Sequence, residues 1–328
     1  MNHRGPALAA VAAALIAVVS AGPATAPAAA APVLGGSIEI PCAASVLRQS
    51  ASWYLPEGDP RGLVWVQHGF ARNSDNVASL ARTLSDSGYL VFAPSLPFFD
   101  LAGCTLQNLG DNTPFLDAIA TLFATATAGD PAGALSRSLS DAAARQGVTP
   151  PAIPANFVFV GHSAGGEAVE YVAHSLHVRH PETWDHLRGV VLLDPVKSFL
   201  GANTDRALTD LDDTDLPILA ISAPPSLCNN FGTGTTALES LLHRPFLGVR
   251  LPAGTHTDAE GTSSDALGEA LCGTPDATNI DAVELLTAGW AGDFFNGATT
   301  ADFYVAADAA GAEAVAAVPG AVPLHGAP

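Results

Sequence analysis

The segment "NFVFVGHSAGGEAVEYVAHSL", which runs from Asn156 to Leu176, changes character in its middle. A run of bulky apolar residues ends at Gly161, then come His162, Ser163 and three small residues, and a helix-like pattern follows. The pattern Gly-x-Ser-x-Gly predicts a sharp, strained turn between a buried strand and a helix, with the serine hydroxyl projecting from the top of a sheet. Ser163 is therefore predicted to be a nucleophile. The alternative interpretation is a turn of small residues whose serine caps the helix.

The rest of the chain alternates strand-like apolar runs with helix-like segments. Strands are predicted in "SIEIPCAAS", "SASWYLP", "RGLVWVQHGF", "YLVFAPSLPFF", "ANFVFVGHS", "RGVVLLDPV", "LPILAISAP" and "FLGVRLPAGTH". Helices are predicted at 73–88, 114–126, 132–146, 165–179, 236–243 and 281–295. This alternation predicts an α/β fold, with a mostly parallel central sheet and helices on both faces. In such sheets ligands bind at the carboxyl ends of the strands.

A serine nucleophile needs a base and an acid that orients the base. "LPAGTHTDAEG" places His256 in a loop after a predicted strand, and we predict that it is the base rather than an ordinary surface histidine. "VVLLDPV" places Asp194 at the end of the strand that follows the nucleophile, where we predict the acid. The commoner position for the acid, one strand later, reads "ISAPPSLCNNFG" and offers no carboxylate before Glu239. The order Ser163, Asp194, His256 fits this arrangement of strands and helices.

Two backbone N–H groups are expected to stabilise the oxyanion that forms during attack on a carbonyl. We predict that they belong to Ala164, which follows the nucleophile, and to Phe70, in the loop after "VWVQHGF". Gly69 would let the backbone approach the substrate, and the ring of Phe70 would line the acyl pocket unless it is a core aromatic. Gly69, Phe70 and His162, the neighbour of the serine, are the predicted substrate contacts.

The first 31 residues have the three-part layout of a secretory signal peptide. Arg4 is followed by an apolar run from about Ala7 and then by small residues, with cleavage expected near Ala26 or Ala31. A membrane anchor is the alternative, but the run is short and rich in alanine. We therefore expect an exported protein with no integral membrane span after cleavage.

We assign the catalytic domain to residues 32–300 and expect a monomer. Residues 301–328 are rich in Ala, Gly and Pro and are predicted to be a loosely ordered tail. The formal net charge is −19 and Lys197 is the only lysine, so nucleic acid and anionic lipid headgroups are not expected partners. The acidic run 210–215 lacks the glycine and the distal glutamate of a calcium-binding loop, and we interpret it as a solvated loop.

The four cysteines suggest two disulfides in an exported chain. We favour the pairs Cys42–Cys104 and Cys228–Cys272, because each closes a loop of moderate length, although three pairings are possible. A zinc site is the alternative, and the absence of any Cys-x-x-Cys pair argues against it.

The segments "VQHGFARNS", "GYLVFAPSLP", "GHSAGG" and "LLDPV" resemble the α/β-hydrolase superfamily, in its serine esterase and lipase branch. Within that branch they are similar to chlorophyllases and to secreted cutinase-like polyester hydrolases. The resemblance covers about residues 33–297 and implies the α/β-hydrolase fold, a Ser-Asp-His triad, no metal and no cofactor. The short segment between Pro195 and Leu216 leaves little room for a separate cap domain, although residues 100–154 could still form a partial lid.

The predicted function is that of a secreted serine hydrolase that cleaves a carboxylic ester, of a lipid, a polyester or a small molecule, through an acyl-enzyme intermediate. A peptidase or an acyltransferase could use the same triad. A non-catalytic binding protein on a hydrolase fold is the third hypothesis, and the presence of all three triad residues argues against it.

Overall fold

The computed structural model describes Met1 and residues 32–127, 129–307 and 313–328. Apart from Met1, the predicted signal peptide lies outside the described residues. The strands are β1 (Val33–Cys42), β2 (Ser45–Tyr54), β3 (Leu63–Gln67), β4 (Leu90–Pro94), β5 (Phe157–His162), β6 (Leu187–Leu193), β7 (Ile218–Ser222), β8 (Gly248–Arg250), β9 (Val305–Ala307), β10 (Glu313–Val315) and β11 (Val322–Leu324). The α-helices are α1 (Ala78–Asp86), α2 (Thr113–Thr127), α3 (Ala134–Gln146), α4 (Ala164–Arg179), α5 (Pro181–Trp184), α6 (Asn203–Asp212), α7 (Thr233–Leu241), α8 (Ala266–Cys272) and α9 (Ala277–Asn296).

The central sheet has the strand order β1-β2-β4-β3-β5-β6-β7-β8-β11. The strands from β4 to β8 in this order are parallel, whereas the hairpin β1–β2 and the edge strand β11 are antiparallel to their neighbours. A parallel sheet with a serine turn between its fifth strand and the next helix is the α/β-hydrolase arrangement, so the predicted fold is confirmed.

The sheet separates two hydrophobic cores because successive side chains of a strand point to opposite faces. In β3, Trp65 packs against Phe123 of α2 and Phe159 of β5 on one face. Its neighbour Val64 belongs to the core of the other face, with Trp290 of α9. Strands β3, β4, β5 and β7 are buried at every position, on both faces of the sheet, which explains why their sequences are almost continuously apolar.

Two disulfides are formed, Cys42–Cys104 and Cys228–Cys272, as the sequence analysis favoured. Within the described ranges, no helix is both long and apolar enough to span a bilayer.

The carboxyl-terminal segment differs from the prediction. We expected a loosely ordered tail after Ala301, but β11 pairs with β8 and completes the central sheet. The backbone N–H of Leu247 donates to the carbonyl of Leu324 at 2.8 Å, and Val315 is buried against the core. The expectation of loose order was therefore wrong for the described part of this segment.

The acidic run is a solvated loop only in part, because Asp213 and Asp215 are exposed between α6 and β7 whereas the preceding aspartates are not in a loop. Asp210 and Asp212 belong to α6, and Oδ2 of Asp210 lies 2.8 Å from Nδ1 of His174 and 2.9 Å from Nδ1 of His177. Because a carboxylate only accepts hydrogen bonds, both imidazoles donate to it. These contacts attach α6 to α4, and α6 packs against α4 and α7 rather than forming a cap over the cleft.

Candidate active site

Ser163 occupies a strained turn between β5 and α4. Its backbone has φ +57° and ψ −125°, a conformation that costs a non-glycine residue about 1–3 kcal/mol. The surrounding glycines are required by contact: a Cβ at Gly161 would lie 2.3 Å from the carbonyl oxygen of Gly165, and one at Gly165 would lie 2.5 Å from that of His68. The turn therefore has the geometry that the Gly-x-Ser-x-Gly pattern predicts.

The structure brings Ser163, His256 and Asp194 into one hydrogen-bonded chain. The hydroxyl oxygen of Ser163 lies 2.9 Å from Nε2 of His256, and Nδ1 of His256 lies 2.5 Å from Oδ2 of Asp194. The carboxylate can only accept, so Nδ1 carries a proton and Nε2 is left to accept from the serine hydroxyl. All three residues are at least nine-tenths buried, which shields this chain from water.

The acid is held on its other oxygen by a loop that the sequence analysis overlooked. Oδ1 of Asp194 accepts from the backbone N–H of Ala223 at 3.0 Å and from the side-chain amide of Asn229 at 3.2 Å. Asn229 is fully buried, and its own Oδ1 accepts from the backbone N–H groups of Ser226 and Gly232. The sequence signal for this loop is the "CNNFG" segment, whose asparagine binds the carboxylate although the segment itself contains none.

The candidate oxyanion donors lie at the nucleophile. A Cβ at Gly69 would be 2.8 Å from the Cβ of Ser163, so the loop after β3 passes directly over the serine. Phe70 and Ala164 line a cavity of about 400 Å³ together with Ser163. In the described part of the chain, no group accepts a hydrogen bond from the backbone N–H of Phe70 or of Ala164. Both N–H groups are therefore available to a ligand.

His162 does not take the position that we predicted for a substrate contact. Its ring is 2% exposed, and Nε2 lies 2.9 Å from the backbone carbonyl of His256. Desolvation by burial, together with the neighbouring His256, holds the pKa of His162 well below its usual value, so the ring is neutral and donates from Nε2. His162 is the last residue of β5 and its side chain is buried, so it supports the loop that carries His256 from inside the protein.

A second support joins the loop of the base to the loop after β3. Nε and Nη2 of Arg72 donate to the two carboxylate oxygens of Glu260 at 2.7 and 3.0 Å, and Nη1 donates to Asp265. Arg72 lies two residues after Phe70, and Glu260 lies four residues after His256. This bidentate pair fixes two loops of the site relative to each other.

A buried carboxyl group lies at the first turn of α4, behind the cavity. Glu167 accepts from the backbone N–H of Ser198 at 2.8 Å, from the Ser198 hydroxyl at 2.5 Å, and from the hydroxyl of Thr204 at 3.1 Å. It also accepts from the backbone N–H of Asn108, which lines the cavity. Glu167 therefore ties together two of the loops that shape the cavity.

Comparisons with known proteins do not assign this chain to a family. No protein-family model matches the sequence, and no curated protein matches it. Solved structures that it resembles include an esterase domain of a Rhodothermus marinus protein, at 16% identity and a TM-score of 0.46, covering 79% of this chain and 98% of the other. Dienelactone hydrolase from Anabaena variabilis is 18% identical over 79% of this chain and 96% of its own, with a TM-score of 0.46. An esterase of Pyrobaculum calidifontis is 12% identical over 80% and 85%, with a TM-score of 0.47.

Proposed function

We propose that this protein is a serine hydrolase that cleaves carboxylic esters. The observation that carries the proposal is the hydrogen-bonded chain from Ser163 through His256 to Asp194, beside two backbone N–H groups without an acceptor in the described structure. Each component has a defined use in acyl transfer, and the three side chains come from separate loops at one edge of the sheet.

The mechanism follows from these positions. The Ser163 hydroxyl attacks the ester carbonyl and passes its proton to Nε2 of His256, while Asp194 stabilises the imidazolium. The N–H groups of Phe70 and Ala164 donate to the oxyanion of the tetrahedral intermediate. His256 then protonates the leaving alcohol. A water molecule, deprotonated by the same imidazole, attacks the acyl-enzyme and releases the acid.

Ester hydrolysis is tested with p-nitrophenyl esters of increasing acyl length. Ser163→Ala should abolish turnover and labelling by a fluorophosphonate while the protein stays folded. Ser175→Ala is the matched control, because Ser175 is a buried serine of α4, the helix that follows Ser163, and donates to Asp117 away from the site. Full activity of Ser163→Ala would refute the assignment.

Peptidase or acyltransferase chemistry remains the second hypothesis, because the same triad could transfer the acyl group from an amide or to another alcohol. A panel of amide substrates and of acceptor alcohols separates these reactions from ester hydrolysis. The likeness of the "LLDPV" and "GHSAGG" segments to chlorophyllases and cutinase-like hydrolases supports esters as the first substrates to assay.

We also propose that the protein is exported. The two disulfides support this proposal, because disulfides persist mainly in oxidising compartments. If residues 1–31 are a signal peptide, protein recovered from the culture medium should begin close to Ala26 or Ala31. Recovery of the whole chain in the cell fraction alone would contradict it.

A further inference from the structure

Large apolar side chains are exposed around the cleft that contains Ser163. Among the described residues, every exposed phenylalanine lies in the segments that follow strands at this edge of the sheet. We define the apolar rim as six exposed residues: Phe70, Phe98, Phe99, Leu101, Phe199 and Leu227. Contiguous exposed apolar surface on a folded domain marks a site of interaction, because water solvates it poorly.

Four residues of the rim adjoin the candidate active site. Phe70, Phe199 and Leu227 line the same cavity as Ser163. The ring of Phe98 packs edge-on against the ring of Phe70, with 5.3 Å between centroids, and this contact joins the loop after β4 to the rim. Whatever covers this part of the rim therefore lies at the entrance to the site.

The charges near the rim favour an uncharged partner. Asp100 lies in the loop between Phe99 and Leu101. Lys197, in the loop that precedes Phe199, is engaged by Asp205 at 2.6 Å. With a formal net charge of −19, the protein repels anionic headgroups. A surface of neutral lipid meets the apolar rim without this repulsion.

We propose that the apolar rim binds the surface of a neutral glyceride lipid, from which an acyl chain enters the cavity beside Ser163. This inference rests on the proposed ester hydrolysis and names its substrate class. The cavity, of about 400 Å³, presents Leu109, Val196 and Leu200 as an apolar wall for one acyl chain. Hydrolysis of one ester bond of a triglyceride consumes one water and releases one fatty acid and one diglyceride.

Binding is measured apart from catalysis, in the Ser163→Ala background. The protein is mixed with triolein droplets coated with phosphatidylcholine, the droplets are floated by centrifugation, and the bound fraction is determined. Phe99 and Leu101 are 66% and 94% exposed, and neither lines the cavity. Phe99→Ser and Leu101→Ser should each lower the partition coefficient about tenfold, and together about a hundredfold.

The matched control is Val178→Ser. Val178 is an exposed apolar residue in the last turn of α4, about 21 Å along the helix from its first residue and so at the opposite end from the site. This variant should bind droplets as well as its parent does. Phe199→Ser, at another part of the rim, gives a second test should the Phe99 and Leu101 variants lower the melting temperature.

Activity provides the second measurement. In the wild-type background, the Phe99→Ser, Leu101→Ser double variant should lose at least tenfold more activity on a trioctanoin emulsion than on dissolved p-nitrophenyl butyrate. The proposal would be overturned if the rim variants float with the droplets as the parent does. It would also be overturned if the protein binds phosphatidylglycerol vesicles more strongly than the droplets, or binds a polyester film but not the droplets. If no ester is cleaved but flotation depends on the rim, the hydrolase assignment fails while the lipid surface stands.

Discussion

The disulfide Cys228–Cys272 lies beside the loop that holds the acid. Cys228 immediately precedes Asn229, whose side-chain amide donates to Asp194, and Cys228 itself lines the cavity. On the other side, Cys272 precedes Gly273. We predict that replacing both cysteines by serine lowers the turnover number before it unfolds the protein.

The opposite end of this disulfide lies beside the loop that holds the base. The carbonyl of Gly273 accepts a hydrogen bond from the hydroxyl of Thr257, the residue after His256. The bond between the cysteines thus links the support of the acid to the support of the base. Without it, the two loops lose their covalent link, and the contact between His256 and Asp194 is held by fewer constraints.

Two magnitudes follow from this geometry. The cysteines are 44 residues apart, and a cross-link over that loop stabilises a domain by up to about 4 kcal/mol at 25 °C through the entropy of the unfolded chain. A domain with a stability of about 5–15 kcal/mol can lose that amount and remain mostly folded. A displacement of the base by about 1 Å can cost roughly a hundredfold in rate. We therefore expect kcat to fall tenfold to a hundredfold.

The assay compares two double variants, Cys228→Ser with Cys272→Ser and Cys42→Ser with Cys104→Ser. The second disulfide closes a loop of 62 residues and should contribute a similar stability, about 4 kcal/mol. Turnover of p-nitrophenyl butyrate is measured well below the melting temperature of each variant. Equal losses in the two variants, or full activity in the first, would refute the reasoning, because only the first disulfide lies beside the acid and the base.

Three further predictions concern single residues. Gly69→Ala should lower kcat by roughly 10²–10³, because the new Cβ would lie 2.8 Å from the Cβ of Ser163 and displace an oxyanion donor. Gly35→Ala is the control and should be neutral, because a Cβ at Gly35 meets nothing within 4 Å. Equal rates of the two variants would contradict this prediction. Asp194→Asn should lower kcat by roughly 10⁴ with little change in melting temperature. Two N–H donors already bind the Oδ1 position, so the oxygen of the new amide stays there and its NH₂ group faces Nδ1 of His256. This NH₂ group would favour the wrong tautomer of His256. Burial, aided by the neighbouring Glu167, raises the pKa of Glu170 well above its usual value, so the unfolding free energy should fall as pH rises from about 4.5 towards the raised pKa. Glu170→Gln should therefore weaken the dependence of the melting temperature on pH between pH 5 and 8. Parallel profiles of the variant and the wild type would contradict this prediction.

The sequence predicted the parts of the fold and site that depend on local pattern. Buried strands are continuously apolar, and Gly161 and Gly165 are needed where backbone atoms approach within 2.6 Å of a Cβ position. Such requirements are written into neighbouring residues, so the nucleophile turn could be located from one segment. That Asp194 and His256 lie beside Ser163 could be predicted because both follow strands whose carboxyl ends meet at one edge of the sheet.

The errors occurred where distant residues decide the structure. The end of helix α6, from Asp210, was predicted to be part of a solvated loop, because the contacts of Asp210 with His174 and His177 come from another part of the chain. Strand β11 has three residues and contains Pro323, which is compatible only with a sheet edge and gives no strand signal by itself. His162 was assigned to the substrate because its sequence position is next to the nucleophile, whereas the alternation of side chains at the strand end turns it towards the core.

The backbone of the site stores strain that the sheet must counteract. Ser163 and Asp194 both have positive φ, at 57° and 42°, and residues in such conformations cost about 1–3 kcal/mol each. Their N–H groups donate to the carbonyls of Leu193 and Ile221 on the neighbouring strands, at 3.0 and 2.7 Å. The nucleophile is thus bonded to the strand that carries the acid, and the acid to the next strand. Because each strained residue is fixed by the strand beside it, any change that separates β5, β6 and β7 would release the strain and misplace the serine and the carboxylate together.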